Sequence, residues 1–135
     1  MLRFIFLFLF ACNDYVMSKK VVEEPPIEEG QPEIMVLPAE INYGHLRSGH
    51  ETGSETISVV NTGDATLIVS NVTIDDGSGF FLSAISDPSI EPGESAEIDL
   101  TYIPETYEER SINITIFSND EDEQVVTIPV TGFGD

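Results

Sequence analysis

The sequence has 135 residues, a length typical of one domain, so a second large domain is not expected. Its 25 acidic residues against 5 lysines and arginines give a formal net charge of −20. This balance excludes nucleic-acid binding through clustered cations, and it excludes docking on anionic lipids through a basic face. The single cysteine, Cys12, excludes an internal disulfide and a zinc cluster built from several thiolates.

The N-terminus has the pattern of a secretory signal. One basic residue, Arg3, precedes a run of large apolar residues at 4–10, which is far shorter than the roughly 20 residues that a membrane-spanning helix needs. The next break, Leu9-Phe10-Ala11-Cys12, resembles the lipobox of bacterial lipoproteins, in which the cysteine is acylated. We therefore expect a signal peptide at 1–11 and lipid attachment at Cys12, giving a protein anchored in the cell envelope, facing the periplasm or the cell surface. A plain signal peptide, a misassigned start codon and an uncleaved signal-anchor are the alternatives.

Residues 12–34 are predicted to form an extended acidic tether. The stretch 21–33 combines three prolines with five glutamates and has too few apolar residues to offset the entropy of ordering the chain. Proline stiffness and charge repulsion both favour an extended segment that holds the following domain away from the membrane.

Residues 35–135 have the pattern of an antiparallel β-sandwich. Short aliphatic segments alternate with polar residues, and Gly, Asn, Asp or Pro breaks them at intervals of roughly eight to twelve residues. Period-two alternation places one set of side chains inward and the other in water. The expected inward positions are Ile57, Val59, Leu67, Val69, Val72, Ile74, Ile98, Leu100, Tyr102, Ile112, Ile114, Ile116, Val126, Ile128 and Val130, and a short strand is expected at Phe80-Phe81-Leu82. The prediction is an all-β, immunoglobulin-like sandwich of about seven to eight strands.

An ordered set of turn motifs carries a family resemblance. The pieces, in chain order, are 61–70 (NTGDATLIVS), 79–80 (GF), 90–96 (IEPGESA), 100–104 (LTYIP), 118–120 (SND) and 130–134 (VTGFG). Together they resemble the ASH/Hydin-type immunoglobulin-like domain, which is related to the major sperm protein fold and to bacterial choice-of-anchor D domains. The resemblance covers about residues 35–134 and implies an interaction or structural module. The chain departs from relatives at 105–109, where they often carry a glycine, and in having one copy instead of an array.

The residues of these motifs are assigned structural roles. Asn61 and Gly63 suit a connection that needs a positive φ or a side chain bonded to its own backbone. Pro92 and Gly93 suit the second and third positions of a tight turn. The remaining members of the set are Pro104, Asn119, Asp120 and Gly132.

Two groups of residues are of a type that can bind metal ions. His45 and His50 lie five residues apart without a third ligand of similar type nearby, so a metal site there is disfavoured. Weak calcium candidates are Asp75, Asp76, Asp120 and Asp122, because calcium binds several carboxylate oxygens. Neither acidic run has the spacing or central glycine of a calcium loop, and solvated carboxylates in hairpin turns are the simpler interpretation.

No catalytic motif is found. The sequence has no Gly-x-Ser-x-Gly nucleophile motif and no glycine-rich phosphate loop before a helix. We therefore expect a non-enzymatic, lipid-anchored envelope protein without a cofactor, whose domain contacts a protein partner or serves a structural role. The alternative is a calcium-binding envelope or surface-adhesion protein that uses its acidic turns.

Overall fold

The computed structural model describes residues 30–75 and 79–135, which form nine β-strands. The strands are β1 (Ile34–Leu37), β2 (Ile41–Leu46), β3 (Gly53–Asn61), β4 (Leu67–Ile74), β5 (Phe80–Leu82), β6 (Ser89–Ile90), β7 (Ser95–Tyr102), β8 (Glu109–Ser118) and β9 (Val125–Gly134). The predicted all-β class is confirmed, with one or two strands more than the pattern indicated. No helix long and apolar enough to cross a membrane occurs in these two ranges. The predicted signal peptide, Cys12 and Asp76 lie outside the described residues.

The strands form two sheets. The first has the order β1-β3-β7-β5 and the second has the order β2-β9-β8-β4-β6. The chain passes from the first sheet to the second between β1 and β2, just after a cis Leu37–Pro38 peptide bond. As a result β2 lies parallel to β9, with Ile41 opposite Val130, whereas every other strand pair is antiparallel.

The inner faces of the two sheets enclose one hydrophobic core. Strand β7 alternates buried Ala96, Ile98, Leu100 and Tyr102 with more exposed residues, and β8 and β9 repeat the pattern. Burying aliphatic side chains contributes roughly 25 cal/mol per Å² of apolar surface removed from water, so this alternation supplies the main driving force for folding. The members with no exposed surface are Ile57, Val59, Leu67, Ile98, Leu100, Ile114, Ile116 and Val130.

A register shift in β4 explains an irregularity in the sequence pattern. Leu67 and Val69 are buried, but the next apolar positions are Val72 and Ile74, an odd number of residues further on. The pairing of β4 with β8 is interrupted between Val69 and Asn71, as in a β-bulge. The extra residue flips the side-chain alternation, so Val72 and Ile74 still pack against the core.

The N-terminal boundary of the domain lies earlier than predicted. Ile34, the last residue of the predicted tether, is the first residue of β1 and is buried. The backbone before it also bonds to the domain: Asp64 donates its N–H to the carbonyl of Gln31, and Thr62 donates to the carbonyl of Glu33. The ordered fold therefore includes residues 31–34.

Three strands carry no alternation that the sequence could reveal. Strand β1 consists of four consecutive apolar residues, β6 has two residues, and β2 contains Gly44 at a φ of 68°. The period of such short segments cannot be read, and their place in the sheets is set by tertiary pairing.

We expect Ile114→Ala to lower the free energy of unfolding by about 3 kcal/mol, because Ile114 is fully buried and its truncation leaves a cavity. Ile68→Ala is the matched control, since Ile68 is 40% exposed on β4, and it should cost less than about 1 kcal/mol. Urea denaturation measures both. Equal losses for the two variants would contradict the inward placement of Ile114.

Candidate functional site

Asn61 is a fully buried polar side chain at the end of β3. Its amide nitrogen donates to the carbonyls of Ala65 (2.7 Å) and Ile90 (2.9 Å). Its amide oxygen accepts from the N–H of Gly63 (2.9 Å) and the N–H of Glu33 (3.3 Å). With these four bonds the side chain joins three separate segments of backbone, which is a structural role.

Asp120 is the second buried polar side chain, 1% exposed, in the turn between β8 and β9. One carboxylate oxygen accepts from the N–H of Ile34 at 2.9 Å. The other accepts from Asp122 N–H at 2.9 Å and from Glu123 N–H at 3.2 Å. Asp120 thus ties β1 of one sheet to a turn of the other, and its charge is compensated by three backbone donors.

Three carboxylates lie together beside β1. Oxygens of Glu33, Asp120 and Asp122 are all within 4.8 Å of one another. Asp120 and Asp122 are predictable from the acidic run of the sequence, but Glu33 is not, because it is distant in sequence and reaches the group only through the packing of β1. Calcium takes six to eight oxygen ligands, and both oxygens of Asp120 already accept backbone hydrogen bonds. The group is therefore an acidic cluster with at most a partial ligand set.

Asp75, another calcium candidate, lies apart from this cluster. Its carboxylate accepts the N–H of Asn113 at 3.0 Å, near the middle of β8. Asp120 follows the far end of that strand, and at about 3.3 Å per residue the two carboxylates are more than roughly 15 Å apart. They do not form one site.

The two histidines are exposed and do not converge. His45 Nδ1 lies 3.1 Å from a carboxylate oxygen of Asp135, and its ring contacts Phe133 with centroids 4.6 Å apart. His50 lies in the turn after Arg47, whose carbonyl accepts its N–H. Among the described residues, no group of three metal-ligating side chains includes a histidine.

The other motif residues lie in turns and close packing contacts. Gly93 has a φ of 83° and donates its N–H to the carbonyl of Asn61, so the 91–94 turn closes against the end of β3. Asn119 accepts the N–H of Ile68 at 2.8 Å and donates to the carbonyl of Thr66. A Cβ on Gly132 would fall 2.5 Å from Cε2 of Tyr102. The remaining motif residues are placed as follows: Gly63 against the backbone of 31–33, Pro92 in the 91–94 turn, and Pro104 buried, with its carbonyl accepting Gly49 N–H.

Two tyrosines stand beside Phe80 at one end of the core. Tyr43 donates its hydroxyl proton to the carbonyl of Leu100 at 2.8 Å, and burial raises its pKa well above the ordinary value. Tyr102 stacks on Phe80 with centroids 4.3 Å apart, and burial raises its pKa too, with Arg110 opposing the effect. Both phenols are therefore protonated at neutral pH, and the Tyr102 hydroxyl is buried without a hydrogen-bond partner among the described residues.

A groove separates β1 from the first half of β9. It has a volume of about 260 Å³ and is lined mainly by the aliphatic side chains of Ile34, Val36, Val126 and Ile128. Glu123 lines one end, and Met35, which also lines the groove, is 41% exposed.

One edge of β9 is open along this groove. Strand β2 pairs with β9 only from Val130 onward. Asn113 directs both backbone groups toward Asp75, so Asn113 and the opposing Pro129 form a pair without mutual hydrogen bonds. By the same alternation, Val125 and Thr127 direct their backbone groups away from β8, into the groove.

The comparisons with known proteins agree with this architecture. Residues 32–132 match the model of a family described as the HYDIN/CFA65/VesB-like, Ig-like domain. None of the curated proteins matches the sequence.

Solved structures share the fold at low sequence identity. A protein of unknown function from Porphyromonas gingivalis W83 superposes with a TM-score of 0.67 at 20% identity, over 76% of this chain and 46% of its own length. The VesB protease of Vibrio cholerae gives 0.60 at 13% identity, over 74% of this chain and 31% of its own. The seventh ASH/PapD-like domain of human CEP192 gives 0.55 at 13% identity, over 94% and 97%. The chain spans less than half the length of the two bacterial proteins, and the likeness is one of fold.

We expect Asp120→Ala to lower the free energy of unfolding by at least about 2 kcal/mol, because it leaves three backbone N–H donors without their acceptor. Asp120→Asn keeps one acceptor oxygen and should have an intermediate effect. Asp122→Ala, an exposed neighbour in the same turn, should change stability by less than about 0.5 kcal/mol. Chemical denaturation of the three variants tests this, and a loss for Asp122→Ala as large as for Asp120→Ala would show that removing charge, and not backbone bonding, is responsible.

Proposed function

The chain belongs to the HYDIN/CFA65/VesB-like Ig-like domain family, and on that premise we propose that it is a non-enzymatic, lipid-anchored protein of the cell envelope. In this proposal Cys12 carries the lipid, the acidic segment after it spaces the domain from the membrane, and the Ig-like domain contacts a protein partner or serves a structural role. The family fits an interaction or structural module, and the anchor, the location and the non-enzymatic role are the proposed parts.

The observation that carries the proposal is the use of the buried polar groups. Asn61 and Asp120 carry the buried amide and carboxylate side chains of the described chain, and each uses its polar atoms to bond to the backbone. A catalytic acid or nucleophile needs a side chain aimed at a substrate, with a base or orienting group within hydrogen-bond reach. The buried side chains of Asn61 and Asp120 stabilise the fold, and the unpaired edge of β9 is available for contacts with a partner.

The attachment of the domain to its leading segment also fits an anchored module. Backbone hydrogen bonds of Gln31 and Glu33 to the 62–64 turn lie immediately before β1. A force applied to the N-terminal segment would therefore act first on these backbone hydrogen bonds. Glu23, Glu24, Glu28 and Glu29 repel one another upstream, which favours an extended spacer.

We expect a palmitate analogue fed to cells that produce the protein to label the wild type and place it in the membrane fraction. Cys12→Ala should be unlabelled and should leave that fraction, because the thiol is the only possible site of thioether attachment. Metabolic labelling with in-gel detection measures this. An unlabelled wild type, or equal labelling of Cys12→Ala, would refute the anchor.

A calcium-binding envelope or surface-adhesion protein is the second candidate function, and the Glu33–Asp120–Asp122 cluster is the observation that favours it. Binding to the folded state alone raises the melting temperature. On this alternative, Tm is several degrees higher in millimolar calcium than in chelator, and Asp122→Asn loses the difference. Identical melting curves in calcium and chelator would eliminate the alternative.

A further inference from the structure

We propose that the groove between β1 and the first half of β9 binds an extended peptide strand of a partner protein. The strand pairs with the open edge of β9, presents aliphatic side chains at alternate positions to the groove, and carries a lysine or arginine at the end beside Glu123. This inference rests on the proposed function, because it names the contact surface of an interaction module.

The open edge supplies the hydrogen-bonding pattern. Val125 and Thr127 each direct an N–H and a C=O away from β8, whereas the outward carbonyl of Pro129 is already used in the parallel pairing of Ile41 with Val130. Within 30–75 and 79–135, no strand pairs with Val125 and Thr127 on this side, and neither residue makes a turn or loop backbone hydrogen bond. An added strand would occupy the position beside Val125–Ile128 that β2 occupies beside Val130–Gly134, so it would extend an existing sheet.

The opposite wall of the groove offers backbone groups as well. The carbonyl of Glu33 accepts a hydrogen bond from Thr62, so by alternation the backbone groups of Met35 and Leu37 point toward β3. The backbone groups of Ile34 and Val36 point toward the groove. Asp120 already takes the N–H of Ile34, but the backbone groups of Val36 remain directed at the gap. The groove is thus bordered by strand edges on both sides.

The side chains of the groove specify an apolar strand. Val126 and Ile128 point inward from β9, and Ile34 and Val36 point inward from β1. Alternate residues of an added strand share one face, so every second side chain of the partner would meet this aliphatic surface. Exposed Met35 adds apolar surface to the same groove.

The charge at one end specifies a basic residue. Glu123 lines the groove, and the exposed Glu33 and Asp122 lie in the adjoining acidic cluster. The two arginines of the described chain, Arg47 and Arg110, pair with Glu51 and Glu108, so these acids have no cation of the domain beside them. A partner lysine or arginine would gain from these carboxylates, whereas a second copy of the chain would bring another net charge of −20.

The test uses the 15N-labelled full chain and a synthetic seven-residue peptide with alternating valine and threonine between terminal lysines. The amides of Val125 and Thr127 should exchange quickly in the free protein and become protected when the peptide is added. Chemical-shift changes should centre on 34–36 and 125–128. A peptide with terminal glutamates in place of the lysines should bind at least about tenfold more weakly.

Variants at the edge separate backbone pairing from nonspecific contact. Thr127→Pro removes the outward N–H without touching a bond to β8, as Pro129 already does two residues on, and should weaken binding about tenfold. Thr127→Ala keeps the N–H and should bind within about twofold of the wild type. Glu123→Lys, at an exposed position, should reduce or reverse the preference for the lysine peptide, and it tests the proposal even if Thr127→Pro fails to fold.

Each contrary result overturns the inference. Absence of binding at millimolar peptide, shifts centred elsewhere, or equal binding by Thr127→Pro and Thr127→Ala would each refute a strand at this edge. Protection of Val125 and Thr127 without peptide would also refute it: dependence on protein concentration would identify a second copy as the occupant, and independence would identify another segment of the same chain.

A separate experiment tests the proposed function. Crosslinking on intact cells followed by mass spectrometry identifies protein neighbours regardless of the surface used. Crosslinks that persist in Thr127→Pro, with no binding of the peptide, would refute the groove and leave the interaction module in place. No crosslinked partner and no labelled Cys12 would refute the function itself.

Discussion

The fold depends on satisfying the backbone where β1 joins the sandwich. Ile34 is buried, so its N–H needs a partner inside the protein, and Asp120 supplies one from the β8–β9 turn. Asn61 does the same for the neighbouring ends of β1, β3 and β6. Without these two side chains, several backbone groups would be buried unpaired, each at a cost of about 1–3 kcal/mol.

The same constraint shapes the surface. Asp120 fixes β1 beside the start of β9 through a side-chain bond, so the two strands do not pair through their backbones there. Strand β2 pairs with β9 only from Val130 onward, and the groove lies beside the earlier part of β9, which has no partner strand on that side. Edge strands in natural proteins are commonly protected by charge, proline or covering segments, and this edge has Pro129 at one end and Glu123 near the other. The bond between Ile34 and Asp120 therefore satisfies a buried backbone group and also borders the candidate binding groove.

The fold brings part of the acidic charge together at one end of the groove. Most carboxylates lie on outer faces and in turns, where they keep the surface hydrated. Glu33, Asp120 and Asp122 differ because β1 brings them to one end of the groove. In the VesB protease this fold is one portion of a longer chain, and in human CEP192 it is one domain of several.

The sequence by itself determined the all-β class, the inward aliphatic positions from Ile57 to Val130, and the family, whose resemblance is confirmed by the match over 32–132. These depend on local alternation and turn chemistry, which a linear pattern records. Only the tertiary structure decided that Ile34 belongs to the core, that β2 runs parallel to β9, and that Glu33 meets Asp120. Those contacts join residues as far apart in the chain as Ile41 and Val130, and no local period encodes which distant strand edge or carboxylate a short apolar segment will meet.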